Sequence, residues 1–379
     1  MQTNKKSSHV YDYAIIGSGL SGLLAANALN KVTSNIILIE QNESFGGTNK
    51  SIQTPVGMVN NGLRFFPETN NAQQAIAYLE MLLMNHLNPT VEDNQVYTFE
   101  NGGLKSFVGF GESHPNFYEE FSYFLSTKKI KLNLEPHEWV QMLFNNFTGD
   151  FLPRSQVTKF VKTEEKISQC IINGQKNIVA LNFIYCGPTK YLKALMPTDF
   201  NFGRKTKNTF GAAVGIDFLH GDQISEHLNL HLLNGTTDDE MGPCVGHFFS
   251  ATTLSDEPVQ YSQWVTFLNQ EDIEDTEIIG ASLKKIKKQI KRAYPIAFDK
   301  LKFERIIVNE AFTGSDLKIN ANLNLTGLDN LWIGSPQAHQ QRNILGCLLQ
   351  SQLLTAALGC NPLGLDLQIK EEVPEATNS

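Results

Sequence analysis

The chemistry this chain can do begins with three glycines. Gly17-Ser18-Gly19-Leu20-Ser21-Gly22 has the G-x-G-x-x-G spacing, which suits backbone that must come close to a pyrophosphate. Gly17 permits a tight turn, Gly19 keeps a Cβ out of the ligand's path, and Gly22 lets the next helix pack against the preceding strand. Leu20 and Ser21 open that helix, whose free N–H groups and partial positive charge would face the anion. Glu40 arrives roughly 20 residues later, where a carboxylate accepts hydrogen bonds from ribose hydroxyls and repels a 2′-phosphate. Gln41 follows it.

Other reactive groups are sparse. Arg64 can grip a carboxylate or phosphate through two parallel N–H groups, or serve a structural ion pair. His339 lies in the polar run 336–343 and is either a proton-exchanging group near neutral pH or part of a surface loop. Arg342, in the same run, is either a cation beside a reacting ligand or an exposed loop residue. His227 and His231 read as a solvated strand face rather than a metal site, and no metal is expected. Ser18 and Ser21 have no base placed beside them, which leaves hydrolase chemistry unsupported. Cys347 reads as a buried thiol.

These groups need elements to hold them. Tyr13-Ala14-Ile15-Ile16 is a β-rich run just before the glycines, and Leu20, Leu23, Leu24 and Ala28 share one helical face after them. Ile36-Ile37-Leu38-Ile39 then forms a second strand ending at Glu40, so strand, turn, helix, strand and acid stand in register. Residues 72–150 read as mainly helical, with Ala75, Ala77, Tyr78, Leu79, Leu82 and Leu83 on a core-facing stripe. Between 210 and 267, alternation around His227-Leu228-Asn229-Leu230-His231-Leu232 and the run 261–268 indicate strands. The basic run 284–291 carries Ile286 and Ile290 at helical spacing and reads as a solvated helix face. Leu331-Trp332-Ile333-Gly334 is a last buried strand, and Asn343 opens a helix with Leu345, Leu348, Leu349 and Leu353 inward.

Composition bounds the rest. At 379 residues the chain can hold two modules. With 41% hydrophobic and 18% charged residues it is a folded chain, and a net charge of −8 opposes a broad nucleic-acid footprint. No apolar run reaches the length of a membrane span, and the first ten residues carry no secretory pattern. Five scattered cysteines fit reduced thiols and a cytoplasmic location. Residues 1–9 and 370–379 read as flexible tails.

Beyond Glu40 the sequence resembles a known family. Gly46-Gly47, followed by the stretch from Gly57 to Phe66, is similar to the glycine pair and flavin-side segment of the FAD-containing amine oxidase, phytoene desaturase and protoporphyrinogen oxidase superfamily, to which UDP-galactopyranose mutase is related. The last strand and the helix from Asn343 resemble its closing elements. Lys159-Phe160-Val161-Lys162 and Asn182-Phe183-Ile184-Tyr185-Cys186-Gly187-Pro188 resemble its returning strands. Thr48, Asn60 and Ser335 depart from it, standing where a basic residue and two acids are usual.

The resemblance implies an α/β fold, a Rossmann-type FAD-binding domain with an interleaved α+β substrate domain. The FAD-binding domain would comprise 10–71, 151–209 and 300–366, and the substrate domain 72–150 and 210–299. It implies FAD contacts at Gly17, Gly19, Leu20, Ser21, Gly22, Glu40, Gln41, Gly46, Gly47, Thr48, Gly62, Leu63, Arg64, Val161, Gly334, Ser335, Asn343 and Ile344, with Arg64, His339 and Arg342 as catalytic candidates. The expected activity is hydride transfer from a C–H bond of a small or medium-sized hydrophobic or amine-bearing metabolite to flavin N5, with dioxygen or a partner as the final acceptor. A redox-neutral sugar-mutase-like isomerase and a flavoprotein that assists a partner enzyme are the alternatives.

Overall fold

The computed structural model describes residues 9–112, 114–202, 211–233, 243–313, 317, 319, 323–338 and 343–360. Strand β1 (Val10–Ile16) runs into the glycine turn, helix α1 (Leu20–Leu29) leaves it, and strand β2 (Ile36–Ile39) pairs with β1 in parallel. The long strand Lys176–Tyr185 pairs with the other side of β1, and Leu331–Ile333 and Asp150–Leu152 extend the parallel sheet at its two ends. A meander of Val157–Thr163 and Lys166–Ile172 joins the first half of Lys176–Tyr185.

Every residue of α1 is buried, so its sequence is apolar all round instead of striped. It lies beneath helices Ala72–Leu83, Pro136–Asn146 and Asn343–Ala357, in a core with Ile15, Leu38, Leu79, Trp139 and Leu348. Ser21 and Asn27 are the polar exceptions, and the Asn27 amide donates to the carbonyls of Leu23 and Leu143 at 2.8 Å each. A buried amide that reaches carbonyls on two helices ties them together without leaving a donor unmet. The opposite face of the sheet packs Ala14, Ile37 and Phe183 against Phe160 and Leu192.

The second sheet has eight strands, ordered Leu301–Thr313, Gly211–His220, Glu257–Asn269, Cys244–Phe248, Leu230–Leu233, Val96–Glu100 and Gly103–Ser106, with Thr252–Leu254 off the path. Alternate residues of Gly211–His220 serve different neighbours. Ala212, Val214, Ile216 and Phe218 meet Leu283, Ile286 and Ile290 of helix Thr276–Ala293. Ala213 faces the other way, into a cluster with Leu63, Phe65, Phe121 and Phe124. Asp275 caps that helix by accepting from the Glu277 N–H at 2.7 Å. In the basic run Lys284, Lys288 and Lys291 are exposed and Lys287 pairs with Glu304 at 2.6 Å, whereas Lys285 is buried.

Three expectations are corrected. Residues 72–150 hold helices Ala72–Leu83, Tyr118–Phe124 and Pro136–Asn146, but also strands Thr90–Asp93, Val96–Glu100, Gly103–Ser106 and Lys128–Lys131. The module boundaries also move. Ala72–Leu83 and Pro136–Asn146, placed with the substrate module, cover α1 instead, and Leu301–Thr313, placed with the FAD module, is an edge strand of the second sheet. Pairing partners far along the chain decide both, and no local pattern encodes them. Finally, His231 is fully buried in Leu230–Leu233 and His227 lies outside that strand, because both faces of the strand are covered. No helix among the described residues is long and apolar enough to cross a membrane.

Candidate functional site

A cavity of about 760 Å³ opens where the glycine turn meets the second sheet and helix Tyr118–Phe124. Its floor is backbone. Gly17 has φ +100° and its N–H donates to the Ile39 carbonyl at 2.8 Å, which pins the turn to the end of β2. A Cβ on Gly22 would stand 1.9 Å from the Gly17 carbonyl oxygen, so this position admits nothing larger. A Cβ on Gly19 would meet only the Gly47 Cα, at 4.0 Å. Nothing in the protein requires glycine at position 19, and the space beside it belongs to the cavity.

The Gly46-Gly47 turn closes over this floor. The Gly46 N–H donates to the Ser18 carbonyl at 2.8 Å, and both glycines adopt positive φ. Gly46 backs onto Val140 and Gly47 onto Gly19, with a Cβ at position 47 only 3.1 Å from the Gly19 Cα. Two turns without side chains therefore face each other across the cavity wall.

Glu40 is buried at its edge and is held by four donors. Ser18 gives its backbone N–H (2.9 Å) and hydroxyl (2.8 Å) to Oε2, while Asn42 gives its N–H (2.9 Å) and side-chain amide (2.8 Å) to Oε1. The carboxylate is thus fixed in orientation before any ligand arrives.

Arg64 lines the cavity but does not act as a free clamp. Its Nε–H donates to Asn49 Oδ1 and its Nη1 to the Leu63 carbonyl, each at 3.0 Å. Nη2 donates to the Asn61 carbonyl at 2.9 Å and to the Thr48 carbonyl. Four of five N–H groups are thereby used on amide oxygens, which leaves no complete edge for a two-pronged grip, and among the described residues Arg64 pairs with no acid. Burial pushes its pKa down to about 10, so it remains a cation at neutral pH.

Among the other expected contacts, Leu20, Ser21, Gln41, Thr48, Leu63, Ser335, Asn343 and Ile344 line the cavity together with Gly17, Gly19, Glu40 and Gly47. Gly22, Gly46, Gly62 and Gly334 do not; they shape the wall from behind. Gly62 has φ +87°, and a Cβ on Gly334 would lie 2.7 Å from Cys186 Sγ. Val161 does not line it either. Its strand starts at the cavity with Val157 and runs toward Glu165, which binds the Asp329 N–H, so Val157 takes the wall position. His339 and Arg342 lie outside the described residues. Asn60, standing at a usual acid position, turns away to helix Pro136–Asn146, where its Oδ1 accepts from the His137 N–H at 3.2 Å.

Several lining residues were not singled out as contacts from sequence. Tyr123 and Phe124 come from a short helix, Asn309 from the second sheet and Tyr191 from the helix after Lys176–Tyr185, whereas Tyr185 and Pro188 belong to the run that resembles a returning strand. The Tyr123 hydroxyl donates to the Phe65 carbonyl and is spent on holding that segment. Cys347 is half-buried in the cavity wall beside Cys186, and burial raises both thiols, which keeps them protonated and weakly nucleophilic. All five cysteines are free. Among the described residues the one Ser–His contact, Ser262 to His220 at 2.8 Å, is sealed inside the second sheet. No group of three or more His, Cys, Asp or Glu residues able to hold a metal occurs among the described residues.

Comparison with known proteins bears on the fold. A family described as an NAD(P)-binding Rossmann-like domain matches residues 15–82, which span the glycine turn and Glu40. Among solved structures, cyclohexylamine oxidase from Brevibacterium oxydans IH-35A superposes with TM-score 0.65 at 12% identity, covering 93% of this chain and 99% of that one. This chain has the amine-oxidase-like fold. A putative protoporphyrinogen oxidase from Exiguobacterium sp. 255-15 shares that fold with TM-score 0.62 at 9% identity, covering 94% of this chain and 99% of the other. An oxidoreductase from Methanosarcina mazei does so with TM-score 0.64 at 10% identity, over 91% and 99%.

Proposed function

We propose that this chain binds FAD in the cavity and is a flavin-dependent oxidoreductase acting on a small or medium-sized hydrophobic or amine-bearing metabolite. The observation that carries this reading is the space beside Gly19. Two bare glycine turns wall it, and the carboxylate of Glu40 is fixed at its edge, a donor set and shape suited to a pyrophosphate and a ribose. FAD bound there would supply an acceptor, at flavin N5, for a hydride leaving a substrate C–H bond.

The chain's own residues supply position and field. Backbone N–H groups at the start of α1 would meet the phosphates, and Glu40 would accept from a ribose hydroxyl once the Ser18 hydroxyl rotates off it. Leu63, Phe65, Tyr123 and Phe124 present apolar surface on the second-sheet side, which excludes water and favours an apolar substrate. Arg64, a half-buried cation bonded only to amide oxygens, would stabilise negative charge gathering in the cavity. Neither thiol has the low pKa a nucleophile needs.

The test is an absorbance spectrum of the purified protein, then release and identification of its cofactor, then anaerobic reduction with candidate amines. Flavin bands that bleach on addition of an amine support the reading. A colourless protein that takes up no FAD on reconstitution rules it out, and a bound flavin that no amine reduces removes the amine-oxidising version only.

A further inference from the structure

The inner face of the second sheet, largely apolar around Leu63, Phe65, Ala213 and Phe267, carries a transverse polar row. Asp217 stands directly opposite Gln263 on one neighbouring strand and Arg305 on the other, so the three lie side by side across three strands. Asp217 is fully buried, and its Oδ2 accepts from Arg305 Nη2 at 2.7 Å and from the Tyr261 hydroxyl at 2.8 Å. His247 continues the row beyond Gln263 on the next strand, and Arg305 and Gln263 both reach the same short segment. Arg305 Nη1 donates to Asn61 Oδ1 at 2.8 Å, and Gln263 Nε2 donates to the Asn60 carbonyl at 3.0 Å.

That segment leads into the cavity wall. The Asn61 carbonyl accepts from Arg64, whose remaining bonds run to Thr48 and Asn49 in the turn that faces Gly19. A continuous chain of hydrogen bonds therefore links a buried carboxylate in one sheet to the glycine turn of the other. A buried ion pair contributes little net stability relative to apolar residues of the same volume, because desolvation offsets its attraction. The pair's bonds to the 60–61 segment point to geometry as its use.

We propose that the row Arg305–Asp217–Gln263 is a positioning device that holds residues 60–64 against the 47–49 turn and so sets the affinity of the cavity for its dinucleotide. Rested on the FAD reading above, this makes Asp217 and Arg305 positioning residues, since neither lines the cavity.

The test compares FAD dissociation constants, by flavin fluorescence, and thermal midpoints for the full-length wild type and three variants. Asp217→Leu/Arg305→Met removes both charges together, so no unpaired ion is left to unfold the chain. Its midpoint should match or exceed wild type while its FAD dissociation constant rises about tenfold or more. Asn61→Ala cuts the link from the other side, leaves the ion pair whole and should raise the constant similarly. Asn61→Asp keeps an acceptor for Arg305 and should stay within about threefold of wild type. Wild-type affinity in Asn61→Ala, or in the double variant where it folds, overturns the positioning role and leaves the FAD reading intact. A wild type that takes up no FAD overturns both.

Discussion

Gly19 and Gly22 look interchangeable in the motif, yet their surroundings separate them. An alanine methyl at 22 would overlap the Gly17 carbonyl at 1.9 Å, whereas at 19 it has 4.0 Å of clearance. The backbone at Gly19, with φ −67° and ψ −178°, is open to any residue. Gly22→Ala should therefore disrupt the turn and destabilise the protein without ligand by on the order of 3 kcal/mol or more, read as a lowered thermal midpoint. Gly19→Ala should leave that midpoint within experimental error and weaken FAD binding by about tenfold or more, since its methyl occupies ligand space. Calorimetry paired with a binding titration checks both, and a Gly19→Ala protein with unaltered affinity would show that the pyrophosphate does not lie against this turn. Spacing alone made Gly17, Gly19 and Glu40 legible as candidates, because backbone approach and a strand-end carboxylate leave a pattern in sequence. The bonds of Arg64 were not legible. Its partners Thr48, Asn49 and Asn61 are amide oxygens brought together by two turns, and every residue type offers a carbonyl.

Strand and helix patterns were readable where the element meets its own neighbours. β1, α1 and β2 lie consecutively and touch one another, so apolar runs and glycines suffice to mark them. Lys128–Lys131 and Thr90–Asp93 are short, charged and mostly exposed, and they exist because they pair with each other across some 35 residues of intervening chain. The burial of His231 escaped notice for a related reason. Alternation signals a half-exposed strand, but this strand is covered on both faces. That burial has a consequence. His220 donates from Nδ1 to the Ala297 carbonyl and accepts from Ser262, and His231 Nε2 lies 2.6 Å from the Tyr294 hydroxyl. Desolvation pushes their pKa values down, to about 4 for His220 and about 3 for His231. Above pH 6.5 both are neutral in the folded and unfolded chain alike. As pH falls below that, the unfolded chain takes up protons that the folded sheet refuses. Stability should thus drop from pH 6.5 down to about 4 for His220 and about 3 for His231, by on the order of 3–5 kcal/mol for each when fully titrated. Thermal midpoints measured from pH 7.5 to 4.5 should fall steadily, and His231→Gln, which keeps an acceptor for Tyr294 and does not titrate, should reduce the slope. A flat profile in the wild type would mean these rings are solvated.

At the scale of the whole molecule, the cavity is the seam between two sheets, with the glycine turns on one side and Asn309, Tyr123 and Phe124 on the other. A ligand spanning the seam binds only when both sides are in place, so it should stabilise the chain as one unit. At a ligand concentration about a hundred times the dissociation constant, linkage gives about 2.7 kcal/mol, which for a chain of this length raises the thermal midpoint by roughly 3 °C. FAD should produce that shift in a single transition. NADP should not, because its 2′-phosphate would meet Glu40, whose two oxygens are already fixed by Ser18 and Asn42 and cannot turn away. The same discrimination should disappear in Glu40→Gln, where the repelling charge is gone and the shape remains. Differential scanning fluorimetry with the two nucleotides against both proteins decides the point. Equal shifts from NADP and FAD in the wild type would place the 2′ position away from Glu40 and the adenosine elsewhere in the seam.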